Sequence, residues 1–167
     1  VNNKIASKIK AMFDGNKVNF TENRPVMHMA LRSHIDDCYL VNDENVTYKV
    51  NNVLNNINKF TNNIHNGTFL SSTGKKFKNI ISIGIGGSYL GIEFVYNAIQ
   101  EKKKLNLRLL ANIDPADFYN CINGLNADET LVIIISKTFT TQETMINAKT
   151  VKEWLLSNIN ASNNDII

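Results

Sequence analysis

Two short stretches of this sequence carry residue types that can hold an anion. The first is IGIGGSYLG, Ile83–Gly91, in which Gly84, Gly86 and Gly87 lead into Ser88. Glycine has no Cβ and reaches φ > 0, so its backbone can approach a ligand closely, and Ser88 adds a hydroxyl beside its own N–H. The second is SKTFTTQE, Ser136–Glu143. Ser136, Thr138, Thr140 and Thr141 offer hydroxyls, and Lys137 adds positive charge at a predicted helix start. Each hydrogen bond to an ionised group is worth roughly 1.5–3 kcal/mol, so several together hold a small phosphorylated ligand without a metal. Thr140 and Glu143 also have the S/T-x-x-E spacing of a capping box. Capping alone does not need four hydroxyls and a lysine, so we read the stretch as phosphate binding combined with a cap.

Two nucleotide-binding readings fit less well. The dinucleotide fingerprint G-x-G-x-x-G is met at Gly84 and Gly86, but Tyr89 occupies its third position and the next glycine is Gly91. Its acidic residue at the end of the second strand is missing, because Leu107–Ala111 runs into Asn112. Asp114-Pro115 is better explained as the cap of the next helix. A Walker A loop fails because no glycine-rich run precedes Lys137-Thr138.

The elements that must position these stretches alternate regularly. A β-branched run predicts a strand over 79–83, followed by a glycine turn and a helix through Gln100. Strands are predicted at 107–111 and 130–135, and helices at about 115–122 and 141–156. Such alternation calls for a parallel sheet with right-handed crossovers, so the fold class is α/β, doubly wound, with helices on both faces. Ligands of such sheets bind at the carboxyl ends of strands whose helices go to opposite faces. If the second and third strands flank the first, the two stretches border one crevice.

Upstream, Ile5, Ile9 and Met12 predict a helix over 4–13, stopped by Asp14-Gly15. Thr21–Ser33 reads as a helix with Pro25 at its first position and with His28 and Arg32 on one face. Val50, Val53, Leu54, Ile57 and Ile64 predict a long helix over 46–64, packed on a sheet and stopped near Gly67. The loop at 70–78 is the expected boundary between a helical N-terminal extension, 1–74, and an α/β domain, 75–167.

With 167 residues, 43% hydrophobic and 20% charged, the chain fits one globular domain plus an extension. The net charge of +3 is a mild excess. Lys102, Lys103 and Lys104 suit a helix end, and Lys75, Lys76 and Lys78 form a solvated ramp; neither group is interleaved with aromatics, which argues against nucleic acid. No segment has the length of a membrane span. Cys38 and Cys121 form no metal or disulfide framework, so a reducing, cytoplasmic setting is expected, with no metal. Asparagine-rich Asn158–Asn164 reads as frayed, and both ends of the sequence look cut.

Taken together, IGIGGSYLG, SKTFTTQET at 136–144, NIDPADF between them and the upstream TENRPVMHMALR resemble the glucose-6-phosphate isomerase family, in the family's order and over nearly the whole chain. The resemblance implies an incomplete sugar-isomerase (SIS) α/β domain. It also implies that Gly87, Ser88, Ser136, Lys137 (mainly by its backbone N–H), Thr138 and Thr141 grip a sugar phosphate, with Gln142 and Glu143 beside the sugar chain or supporting its neighbours. The implied reaction interconverts an aldose phosphate and a ketose phosphate through a cis-enediol, without a cofactor, in a homodimer. Its glutamate base, ring-opening histidine and lysine, and enediolate-stabilising arginine are expected after the region spanned here. The competing expectation is a non-catalytic sugar-phosphate-binding regulator on the same sheet.

Overall fold

The computed structural model describes residues 2–99 and 104–159. These fall into two compact units, Val1–Thr61 and Asn62–Ile167.

In the first unit, helix α1 spans Asn2–Phe13. The expected helix from Pro25 is instead a 3-10 turn over His28–Arg32, preceded by an isolated bridge between Asn19 and Arg24. Side chains compete for the groups a longer helix would need. The Ser33 hydroxyl donates to the Ala30 carbonyl (2.9 Å), and the His34 N–H donates to Asp37 Oδ2 (2.8 Å) instead of turning back along a helix. A small hairpin follows, β1 (Leu40–Val41) against β2 (Glu44–Asn45). Asn42 and Asp43 both take positive φ, 49° and 63°, as a two-residue type I′ turn requires.

Helix α2 spans Val46–Asn66, and Asn45 Oδ1 accepts the Tyr48 N–H (3.3 Å) at its start. Of the face expected to pack on a sheet, Val53, Leu54 and Ile57 are exposed, Val50 is half-buried and Ile64 is buried.

The second unit is built on three parallel strands in the order β4-β3-β5: β3 (Asn79–Ile83), β4 (Asn106–Leu110) and β5 (Thr130–Ile134). Their ends are in register, with Ile83 opposite Leu110 on one side and Ile134 on the other. Helices α3 (Gly87–Ala98), α4 (Pro115–Ile122) and α5 (Gln142–Asn158) follow the strands. The expected range of α3 reached Gln100, which lies outside the described residues. Asp114 Oδ1 caps α4 by accepting the Ala116 N–H (2.8 Å), with Pro115 in its first turn.

Strand alternation sorts the helices between the faces. Ile81 and Ile83 point to one face, where Leu110, Cys121 of α4 and Val151 of α5 complete a buried cluster. Ile80 and Leu107 point the other way and line a cavity with Gly91, Ile92, Val95 and Tyr96 of α3. The doubly wound arrangement follows. Burial pushes the Cys121 thiol up to about 11, with Asp117 adding to the shift and Arg108 opposing it, whereas Cys38 is exposed.

The two outer strands are finished differently. On β4 the Leu107 N–H donates to the Tyr96 hydroxyl (3.3 Å), and just beyond it Ala111 and Asn112 donate to Asp117 Oδ2 (3.3 and 3.0 Å). On β5, Ile133 and Ile134 remain more than one-third exposed.

The amino-terminal end of the sheet is clamped by charge. Lys75 Nζ meets Asp128 Oδ2 at 2.6 Å, and Lys78 Nζ meets Glu129 Oε1 at 2.7 Å. The expected solvated ramp is thus two ion pairs, with the Lys76 stem lying over Gly67. The hydrogen bond from Lys75 holds the Asp128 carboxyl below its ordinary range and raises Lys75 above its own. A depressed carboxylate stabilises the fold above its unfolded pKa and loses that contribution as pH falls through the folded one. The raised lysine loses its share as pH rises through its folded pKa. We therefore expect Lys75→Met to lower the urea midpoint slightly at neutral pH. The gap to the parent should close below the ordinary carboxylate range and again above the lysine range; a gap that persists unchanged at pH 2 would contradict the pairing.

Candidate functional site

The two stretches expected to hold an anion leave the same end of neighbouring strands. The Gly84 N–H donates to the Leu110 carbonyl (3.3 Å), and the Ile135 N–H donates to the Ile83 carbonyl (2.8 Å), so the three strand exits are tied side by side. From there the chain after β3 enters α3 on one face, and the chain after β5 enters α5 on the other. This is a topological switch point.

The glycines of the first loop have separate reasons. Gly84 is buried, and a Cβ there would lie 2.7 Å from the Ser88 carbonyl oxygen and 3.0 Å from Ser88 Cβ. The turn closes on the first turn of α3 because residue 84 has no side chain. Gly86 caps α3 at φ 58°, ψ −120°, a conformation that side chains rarely adopt. Gly87 has neither reason, because a Cβ there would meet nothing within 4 Å. Ser88 donates its N–H to the Ile85 carbonyl (3.2 Å), and Tyr89 and Leu90 donate to the Gly86 carbonyl (3.0 and 2.9 Å). Gly87, the first residue of α3, is exposed and Ser88 half-buried.

In the second loop the Ser136 hydroxyl accepts the Phe139 N–H (3.0 Å), and the Thr138 and Thr140 hydroxyls share a hydrogen bond (2.6 Å). Phe139 takes φ 54°, and its ring is exposed. These contacts shift the helix start. Thr141, not Thr140, is the cap of α5, and its hydroxyl makes no capping hydrogen bond. The expected Thr140–Glu143 capping box is therefore not formed, and Glu143 is the second helical residue. Lys137, Thr138, Thr141, Gln142 and Glu143 are exposed, and Ser136 is half-buried. The first turn of α5 leaves N–H groups without intrahelical acceptors, as every helix start does.

The candidate residues line an open sheet end, apart from the main cavities. The apolar cavity beside α3, about 510 Å³, includes His65 and Lys104 but none of them. Lys102 and Lys103 lie outside the described residues. A polar cleft of about 330 Å³ at the β4 edge holds Tyr89, Glu93, Arg108 and Asp117. There the Tyr89 hydroxyl donates to Glu93, which raises the Tyr89 pKa. Among the described residues no group of three or more His, Cys, Asp and Glu side chains could hold a metal, and no helix is long and apolar enough to cross a membrane.

One feature of the site escaped the sequence reading. The buried stripe of α5 is Thr144, Asn147, Val151 and Leu155, so its end nearest the second loop is polar. Asn147 is 4% exposed and donates from Nδ2 to the Asn112 carbonyl (2.9 Å), just past β4. The signal was available, since 144, 147, 151 and 155 keep helical spacing and two of the four are polar.

Known proteins resemble this chain along almost its whole length. The family model described as phosphoglucose isomerase matches residues 1–166. The chain is 46% identical over 165 residues to the cytosolic glucose-6-phosphate isomerase of Arabidopsis thaliana, covering 95% of this chain and 30% of that protein. It is 44% identical over 163 residues to cytosolic glucose-6-phosphate isomerase A of Oryza sativa subsp. japonica, covering 93% of this chain and 29% of the relative. Among solved structures, a glucose-6-phosphate isomerase from Chlamydia trachomatis shares the fold with a TM-score of 0.65 at 23% identity, over 93% of this chain and 30% of that one. This chain thus spans under a third of the length of these relatives. With the motifs, the switch-point sheet and a family match from residue 1 to 166 in agreement, the chain belongs to the phosphoglucose isomerase family.

Proposed function

We propose that the protein carrying this chain interconverts glucose 6-phosphate and fructose 6-phosphate in the cytoplasm, through ring opening and a cis-enediol, as a homodimer without a cofactor. This chain supplies the grip on the phosphate. Residues 1–74 act as a helical extension, and residues 75–167 form the incomplete SIS domain.

One observation carries the reading: two loops rich in glycine and hydroxyl groups exit adjoining parallel strands at one end and start helices on opposite faces. The phosphate sits between those two helix starts. Backbone N–H groups and the helix dipoles favour its charge from both sides. Gly87 and Ser88 hold it from α3, and Ser136, Lys137, Thr138 and Thr141 hold it from the second loop. The open space beside Gly87 is what close approach by an anion requires. Gln142 and Glu143, the first two helical residues after the cap, face the sugar rather than the phosphate, because a carboxylate against the anion would repel it.

The chemistry on the bound sugar is supplied elsewhere. His28, His34 and His65 all precede β3. The base, the ring-opening pair and the enediolate-stabilising arginine come from polypeptide outside this chain. The chain alone therefore binds fructose 6-phosphate weakly and does not isomerise it.

Two experiments test this reading. Titration of the chain with fructose 6-phosphate, followed by amide shifts, should move Ser88 and Thr138 first, and Ser88→Ala should weaken binding by roughly tenfold, the worth of one charge-assisted hydrogen bond. Shifts confined to the surroundings of Lys104, or measurable turnover by the purified chain, would overturn it. The glycines give the second test. Gly84→Ala should destabilise the fold by about 1–3 kcal/mol, because backbone must move. Gly87→Ala should keep or slightly raise the melting temperature, since alanine favours helix, yet weaken sugar-phosphate binding.

A further inference from the structure

We infer that Asn147 is a positioning residue that fixes where the second phosphate loop stands relative to the sheet. The inference rests on the proposed phosphate site and adds a residue to it that touches no ligand.

Asn147 lies in the second turn of α5, six residues after the cap Thr141. Its neighbours along the buried stripe, Val151 and Leu155, fix α5 against the sheet by apolar contact, which tolerates sliding and rotation. A hydrogen bond does not tolerate either. The Asn147 amide donates to the Asn112 carbonyl across 35 residues of sequence, and it does so from a nearly fully buried position. Letting that amide slip by an ångström would strand a polar group out of water, which is unfavourable.

The acceptor is itself held. Asn112 donates its N–H to Asp117 Oδ2 (3.0 Å), and its side-chain oxygen accepts the Asp114 N–H (3.1 Å). Asp117 also accepts the Ala111 N–H, and Asp114 caps α4. The loop after β4 is thus a strut anchored to α4 at one end and to α5 at the other. β4 and β5 lie on opposite sides of β3, so the strut spans the carboxyl end of the sheet. Through it, the start of α5 is referenced to β4 as well as to β5. Within the loop, the Ser136 hydroxyl bonds the Phe139 N–H and the Thr138 and Thr140 hydroxyls bond each other.

The test separates positioning from stability. Asn147→Leu keeps the branched shape and removes the donor, and Asn147→Ser places a shorter hydroxyl that cannot reach Asn112. The matched control is Val151→Ala, one turn further along the same stripe. Binding of fructose 6-phosphate and unfolding by urea are measured for all four chains, with hydrogen exchange of the Gln142, Glu143 and Thr144 amides in the absence of ligand. We expect both Asn147 variants to bind roughly five- to tenfold more weakly and to exchange faster at the start of α5. Val151→Ala should lose stability while keeping parental affinity and parental exchange at those amides. Should Asn147→Leu not fold, Asn147→Ser carries the comparison. Equal losses of affinity in Val151→Ala and the Asn147 variants would overturn the positioning role, as would parental affinity in the latter. If the parent chain binds no sugar phosphate, the proposed site itself fails; unchanged exchange at the start of α5 in the Asn147 variants would then sink the positioning role independently.

Discussion

Everything at the candidate site depends on β3 being hydrogen-bonded on both sides. A central parallel strand spends its backbone groups on two neighbours, so the chain leaving it at Gly84 can go only up and out of the sheet plane. Right-handed crossover then settles the rest. The helix leading from β3 to β4 must lie on one face and the helix returning from β4 to β5 on the other, where Val151 of α5 packs beside Cys121 of α4. The crevice between the two helix starts is a consequence of strand order, and the loops inherit it. The cross-bonds from Gly84 to Leu110 and from Ile135 to Ile83 extend the tie one residue past the strands, so the loops begin from fixed points.

The fold was legible where burial and backbone chemistry agree. Ile80, Ile81 and Ile83 are β-branched, apolar and bounded by glycine, and their strand runs over the expected residues. Asp114-Pro115 gave the start of α4 to the residue, because a capping carboxylate and a proline with fixed φ leave little choice. Legibility failed where side chains compete with the backbone locally. Ser33 and Asp37 divert the groups that would have continued a helix from Pro25, and a periodicity argument does not see them. The α5 cap moved by one residue for the same kind of reason. Thr138 engages the Thr140 hydroxyl, and Phe139 adopts a left-handed conformation that no sequence rule assigns to phenylalanine.

The site was legible as composition but not as a mechanical arrangement. Glycines and hydroxyls raised the expectation of anion binding, yet nothing in their spacing distinguishes the three glycines. Gly84 answers to packing, Gly86 to dihedral angle and Gly87 to neither, a division that needs the position of Ser88. Asn147 was hard to single out for the opposite reason. Asparagine is abundant throughout this sequence, and only burial marks the one that crosses from α5 to the loop after β4.

The two edges of the sheet differ in a way that fits a chain spanning under a third of its relatives' length. At β4 a tyrosine hydroxyl and an aspartate carboxylate take N–H groups that face away from β3, which is how a sheet edge is closed to further pairing. At β5 two isoleucines stand partly exposed at the strand's carboxyl end, beside the second loop. Apolar side chains in that position gain about 25 cal/mol for each Å² removed from water, so covering them is favourable for whatever strand or helix lies alongside. The covered side is also the one that carries Ser136–Thr141. A neighbour that completes the sheet at β5 would therefore stand next to the loop Ser136–Thr141.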